Sequence, residues 1–101
     1  MRFIFVFIVL LAGATNSVAA KEVGNACLSS DRGAGQLSLC SCIQKAADQT
    51  LSRRDQKRAA SFFADPDLAQ TTRRSDTKRD EAFWERYQAF GDVARKHCRK
   101  R

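Results

Sequence analysis

The chain has 101 residues, four of them cysteines, and a formal net charge of +7. Its length allows one small domain, which excludes a multidomain enzyme and a polytopic membrane protein. A hydrophobic fraction of 44% also excludes a wholly disordered chain.

The N-terminal segment has the pattern of an export signal. Arg2 precedes an uncharged, apolar run of twelve residues from Phe3 to Ala14. That run is shorter than the roughly 20 apolar residues that a membrane-spanning helix needs. Small residues follow as far as Ala20, where cleavage would occur. We therefore expect a signal peptide over residues 1–20 and a periplasmic or secreted single domain over residues 21–101, with a net charge of +6 because Arg2 is lost.

Hydrophobic periodicity predicts an all-α domain stapled by disulfides, with three main helices, one short helix and no strand. Residues 21–35 contain three glycines, two serines and Asp31, which is typical of a loop. The helices are expected at residues 36–50, 52–64, 66–72 and 77–98.

Two kinds of pattern define these helices. Three side chains are expected to cap helix starts: Ser52, Asp65 and Thr77. Ser52 forms a capping-box variant with Asp55, and Pro66 follows Asp65 at the first helical position, where proline is tolerated. In the last helix, apolar residues recur at steps of three and four and predict a buried stripe: Phe83, Tyr87, Phe90, Ala94 and Cys98.

The cysteines are expected to form two disulfides, because an exported protein folds in an oxidising compartment. Cys40 and Cys42 project about 160° apart on one helix and cannot pair with each other. Cys40 and Cys98 lie nearest the apolar faces of their helices, which favours a disulfide between them. Cys27 would then pair with Cys42. The alternative, with disulfides 27–40 and 42–98, stays open.

The basic residues suggest a binding surface for an anion or a partner. Six of them, near the starts of the second and last helices, form the candidate face: Arg53, Arg54, Lys57, Arg58, Arg73 and Arg74. Aspartates interrupt this charge, so a continuous electropositive stripe is not expected. Export also argues against intracellular nucleic acid as a partner.

The segment 32–35, with two glycines ahead of a helix, has two interpretations. Its backbone N–H groups could be open to an anion, or, as we favour, it forms a flexible loop.

Catalytic chemistry has little basis in this sequence. His97 is the only histidine, in a last turn rich in lysine and arginine, and the chain has no C-x-x-C pair. We expect no catalytic residue, no cofactor and no metal site.

Six segments resemble a known set of proteins: GNACLSSDRGAG (24–35), LCSCIQ (39–44), ADQTLSRRDQ (47–56), AASFFADPDLAQ (59–70), RRSD (73–76) and EAFWERYQAF (81–90). The chain resembles small exported proteins of marine and photosynthetic alphaproteobacteria, often labelled "arginine transporter". The resemblance covers nearly all of residues 21–101. It implies a periplasmic location and brings no catalytic residues.

The expected function is that of a small non-enzymatic binding or structural module with a basic surface. Its partner would be an envelope protein or an anionic surface, and no membrane span would remain after signal cleavage. One alternative is an accessory part in the transport of basic amino acids, as the label of the similar proteins suggests. Another is a thiol redox protein that uses Cys40 or Cys42.

Overall fold

The structure, a computed structural model, describes residues 21–98, so the signal peptide expected over residues 1–20 lies outside the described residues. Five α-helices follow one another: α1 (Glu22–Ser29), α2 (Leu37–Thr50), α3 (Arg53–Ala64), α4 (Pro66–Arg74) and α5 (Lys78–His97). The described part of the chain contains no β-strand. The prediction of an all-α fold with two disulfides is therefore confirmed.

Helix α1 is the main departure from the predicted elements, because residues 21–35 were expected to be a loop. Val23, Gly24 and Cys27 share one face of this helix and are all buried. Gly24 permits close packing, since a Cβ atom at that position would lie 3.2 Å from the Cβ atom of Gln44 on α2. Packing against α2 thus outweighs the low helix propensity of glycine. The domain has five helices in place of the predicted four.

The other four helices begin within one residue of the predicted positions, and α4 continues two residues further, to Arg74. Each predicted cap is confirmed. Ser52, Asp65 and Thr77 accept a hydrogen bond from a backbone N–H two or three residues along the chain, each at 3.2 Å. These bonds satisfy donors that have no partner within the helix.

The disulfides join Cys27 to Cys40 and Cys42 to Cys98, with Cα–Cα distances of 5.5 and 5.6 Å. The favoured pairing of Cys40 with Cys98 and of Cys27 with Cys42 was wrong, and the alternative is the one observed. The cause is α1, which runs along α2 and so brings Cys27 to the buried side of α2, where Cys40 lies. Cys42, which is partly exposed, meets Cys98 just beyond the last turn of α5.

Apolar side chains from four of the helices and from the α2–α3 junction form the core: Val23, Ala46, Ala47, Leu51, Ala59 and Phe90. An aromatic cluster extends it, in which the rings of Phe62 and Phe83 meet edge to face at 5.9 Å. In the predicted stripe of α5, Phe83 and Phe90 are buried, whereas Tyr87 and Ala94 are partly buried. The stripe is confirmed as the inward side of α5.

A buried polar network joins the first three helices. The Gln44 side-chain oxygen accepts a hydrogen bond from the Gly24 N–H at 2.8 Å, and its amide nitrogen donates to Asp48 and to Gln56, both at 2.8 Å. Gln56 in turn donates to Asp48 and to the carbonyl of Leu51. Among the described residues, no buried side-chain polar atom lacks a partner. The network therefore fixes how α1 and α3 lie against α2.

Candidate functional site

A cleft with a volume of about 580 Å³ lies among α2, α3, α4 and α5, below the α1–α2 loop. Its walls are mainly aliphatic and aromatic: Leu39, Ile43, Phe62, Phe63, Ala69 and Tyr87. Polar side chains are confined to Gln70 on α4 and to the loop side, where Ser30, Asp31 and Arg32 lie. We call this space the apolar cleft. Its size falls within the range of small-molecule sites.

A second, smaller cleft of about 280 Å³ lies between α4 and α5. Trp84 and Tyr87 supply aromatic surface, and Arg73 and Arg95 supply two guanidinium groups. No carboxylate belongs to the residues that line it, although Arg95 forms an ion pair with Asp92 on its own helix. We call this space the basic cleft. It offers positive charge beside a ring system, which suits an anion.

Tyr87 lines both clefts and lies between them. Its ring packs 5.2 Å from that of Phe62 on the apolar side and 5.1 Å from that of Trp84 on the basic side. Burial raises the pKa of the Tyr87 hydroxyl, and the nearby charge of Arg95 opposes that shift. Tyr87 therefore connects the two clefts through one aromatic wall.

The six residues of the candidate basic face are divided among different roles. Arg53, Arg54 and Lys57 are exposed on the first two turns of α3, and Arg74 is exposed at the end of α4. None of these four forms an ion pair within residues 21–98. Arg73 is exposed too and contributes to the basic cleft.

Arg58, the sixth residue, is partly buried and is held by contacts with α5. Its guanidinium lies 2.7 Å from the carboxylate of Asp80 and 4.5 Å from the centre of the Phe83 ring, close enough for a cation–π contact. The Ser75 hydroxyl and then the Arg58 guanidinium hold the pKa of the Asp80 carboxyl below its ordinary value. These contacts tie α3 to the start of α5 and leave Arg58 little freedom to bind a ligand.

Asp55 also has a partner that the capping-box prediction did not include. Arg86 on α5 binds its carboxylate at two points, through Nε at 2.6 Å and a terminal nitrogen at 3.2 Å. The hydrogen bond to Asp55 raises the pKa of Arg86. The backbone N–H of Asp55 still bonds to Ser52, so the cap is made, but the carboxylate serves a contact between helices.

In the 32–35 segment, two of the backbone N–H groups are already hydrogen-bonded within the protein. The N–H groups of Gly33 and Ala34 both donate to the Ser30 carbonyl, at 3.2 and 3.0 Å. Gly33 is also buried against α1, where a Cβ atom would lie 1.8 Å from the Cys27 carbonyl oxygen. Close backbone packing explains Gly33, and the hydrogen bonds to Ser30 occupy two of the N–H groups that the anion-binding interpretation would use.

The residues of the basic cleft escaped the sequence analysis as a group. Arg73 belongs to the candidate basic face predicted from the sequence, whereas Trp84 and Arg95 are not among the predicted site residues. The signal is a second stripe on α5, since Trp84, Gln88, Gly91 and Arg95 recur at steps of three and four. Reading both stripes together could have located the cleft.

Membrane-spanning helices and metal-binding clusters were also sought among the described residues. No helix within residues 21–98 is long and apolar enough to span a membrane. Within the same residues, no three His, Cys, Asp or Glu side chains are grouped so that they could hold a metal ion.

Comparison with known proteins found no matching family model, no matching curated protein and no matching solved structure.

Proposed function

We propose that this protein is an exported helical module that acts by binding an anionic envelope surface, without catalysis of its own. Residues 1–20 would direct export and be removed.

Two disulfides in so short a chain support an oxidising compartment outside the cytoplasm, because cytosolic thiols are kept reduced. Disulfides also add the stability that a small helical core needs.

One observation carries the binding proposal: the position of Arg53, Arg54 and Lys57. Arg53 and Arg54 occupy the first turn of α3, where the helix dipole disfavours positive charge, and Lys57 follows in the second turn. They also lack ion-pair partners within the described residues, so they do not contribute to stability through pairing. Residues 53 and 57 are one turn apart, and residue 54 lies 100° away, so the three charges share one side of the helix. A surface with this arrangement suits a negatively charged partner.

The test uses the oxidised protein, produced from the full chain, and vesicles of phosphatidylglycerol or phosphatidylcholine. We expect co-sedimentation with the anionic vesicles at low salt, and loss of that binding as salt screens exposed charges. A dextran sulfate column provides the same charge without a lipid and tests whether a polysaccharide surface is bound instead.

A matched pair of variants separates a specific face from net charge. The triple variant Arg53→Gln, Arg54→Gln, Lys57→Gln should lose most of the binding. The control Lys45→Gln, Lys78→Gln, Lys96→Gln removes the same charge from exposed sites elsewhere and should lose much less. Equal losses in both variants, or no retention of the unmodified protein on either anionic material, would refute the proposal.

An accessory part in basic amino-acid transport is the second candidate. The observation that favours it is Asp31, a carboxylate at the mouth of the apolar cleft, which could face a ligand guanidinium. Arg32 beside it weakens that attraction. Calorimetry with arginine at millimolar concentration decides the question, because the absence of binding heat would remove this candidate.

A thiol redox role is the third candidate. It draws on the Cys42–Cys98 disulfide, whose two residues are partly exposed. A redox protein should exchange this disulfide reversibly with a small thiol and retain its fold in both states. Mass spectrometry of trapped thiols after exposure to glutathione buffers would distinguish this role, since a purely structural disulfide should stay closed under such mild conditions.

A further inference from the structure

The geometry points to a ligand site formed by the two clefts together: we propose that they bind a single-chain carboxylate amphiphile of the fatty-acid type. The hydrocarbon chain would lie in the apolar cleft and the carboxylate in the basic cleft, beside Arg73. This site differs from the basic surface at the start of α3, so the two proposals can fail separately.

The two clefts follow each other along one face of α4. Pro66, Ala69 and Gln70 line the apolar cleft, and Arg73 lines the basic cleft. These positions follow the helical spacing of three, four and seven residues, which places them on a single face. Tyr87 of α5 borders both spaces. A ligand that follows this face of α4 therefore passes from apolar walls to a guanidinium group.

The character of the walls favours a hydrocarbon chain over a peptide. A peptide carries an N–H and a C=O at nearly every residue, and each needs a partner when it is buried. The apolar cleft offers few such partners away from its loop side, because its walls are formed mainly by residues such as Leu39, Ile43 and Phe63. An alkyl chain needs no hydrogen bonds and gains free energy from leaving water.

The charge balance favours a head group with a single negative charge. Asp92 already neutralises Arg95, whereas Arg73 has no ion pair within residues 21–98. The basic cleft thus has one uncompensated positive charge, and no carboxylate lines it. A planar guanidinium can hold a carboxylate through two parallel hydrogen bonds.

The chain contains a single tryptophan, Trp84, and it lines the basic cleft, so fluorescence reports directly on the head-group end. The oxidised protein would be titrated with dodecanoate below its micelle concentration. Two brominated forms would follow, with bromine, a contact quencher, either next to the carboxylate or at the far end of the chain. We expect saturable binding, and stronger quenching from bromine next to the carboxylate.

Two ligand controls separate the parts of the molecule. Dodecyl maltoside has the same chain without a charge, and acetate has the charge without the chain; both should bind much more weakly than dodecanoate. Stronger quenching from bromine at the far end would overturn the proposed orientation. Equal binding of dodecyl maltoside and dodecanoate would overturn the role of the basic cleft.

Variants test the residues. Arg73→Gln should weaken dodecanoate binding about tenfold or more, as expected for the loss of a hydrogen bond to a charged group. Arg74→Gln removes the same charge from the next residue, which lines neither cleft, and should change affinity little.

A second pair of variants tests the apolar cleft. Ala69→Phe should fill this cleft and abolish binding, whereas Thr71→Phe, on an exposed part of α4, should leave binding intact. Unaltered affinity in both Arg73→Gln and Ala69→Phe would refute the site.

Discussion

Arg86 on α5 binds Asp55 on α3 at two points, and the partners differ in exposure: the Asp55 side chain is 12% exposed, the Arg86 side chain 47%. Because of this difference in exposure, replacing one partner should destabilise the fold more than replacing the other. Removing Arg86 leaves a nearly buried carboxylate without its counter-charge, which is costly. Removing the charge of Asp55 leaves a guanidinium that water can still reach.

We therefore expect Arg86→Ala to lower the urea midpoint of unfolding more than Asp55→Asn does. The double variant should be less destabilised than the sum of the two, because the interaction can be lost only once. Arg79→Ala, an exposed arginine of α5 without an ion pair in the described structure, should change the midpoint little. A smaller effect for Arg86→Ala than for Asp55→Asn would contradict this account.

Gln44 should be among the least replaceable polar residues. Its side chain bonds to Gly24, Asp48 and Gln56, so Gln44→Ala leaves the buried Gly24 N–H and the side-chain oxygen of Gln56 without these hydrogen bonds. Because buried polar groups lose hydrogen bonds, we expect the free energy of unfolding to fall by about 1–3 kcal/mol. Gln49→Ala, on the exposed side of the same helix, is the control and should cost little. Denaturant unfolding followed by circular dichroism measures both.

The sequence could predict whatever depends on near neighbours along the chain. The caps at Ser52, Asp65 and Thr77 are of this kind, since each bonds to a backbone N–H two or three residues away. The stripe of α5 is local for the same reason, because one helix repeats its own face.

What depends on tertiary packing was not predictable in the same way. Helix α1 has few local helix signals, and its buried face becomes stable only when it packs against α2 and α3. The disulfide pairing follows from the packing of α1 on α2. Because residues 21–35 were expected to be a loop, the partner of Cys27 was predicted wrongly. Nothing near Arg86 in the sequence indicates that it binds Asp55, 31 residues away. The basic cleft likewise needs α4 and α5 side by side.

Gly33 should tolerate alanine worse than Gly35. A Cβ atom at Gly33 would lie 1.8 Å from the backbone carbonyl oxygen of Cys27, which cannot move without shifting α1. Gly33→Ala should therefore cost at least ~1–3 kcal/mol of stability. Gly35 has a φ angle of +74° but open space around it, so Gly35→Ala should cost roughly 1–2 kcal/mol from backbone strain alone. Thermal unfolding of the two variants should show the larger loss at Gly33, and the reverse order would contradict the close packing.

Protonation of Asp80 should make the folded protein less stable in acid. Bonds from Ser75 and Arg58 lower the pKa of its carboxyl in the folded state, below the ordinary value of 3.8. The folded protein therefore favours the charged form, and this contribution is fully present above about pH 4. It is lost as the pH falls through the lower folded-state pKa.

Asp80→Asn should consequently destabilise the protein at pH 6, and the difference from the unmodified protein should shrink as the solution is acidified. Unfolding midpoints at a series of pH values measure this. Asp76→Asn, which removes one negative charge from an exposed site, controls for net charge. A difference that grows on acidification would contradict the assigned sign.

The two disulfides should differ in how readily they are reduced. Cys27 and Cys40 are 2% and 0% exposed, whereas Cys42 and Cys98 are both partly exposed. Thiol–disulfide exchange requires the attacking thiolate to reach a sulfur atom, so dilute reductant should open the Cys42–Cys98 disulfide first. Alkylation of the freed thiols followed by peptide mass spectrometry identifies the order.

Opening that disulfide should have a large effect on stability. It spans 56 residues of sequence, against 13 for the other, and the chain-entropy model then gives about 4 kcal/mol for its contribution. The variant Cys42→Ser, Cys98→Ser should show this loss while keeping α1 bonded to α2. If Cys27 and Cys40 were alkylated first, α1 would have to separate from α2 more easily than its buried network allows, and the order argued from burial would be wrong.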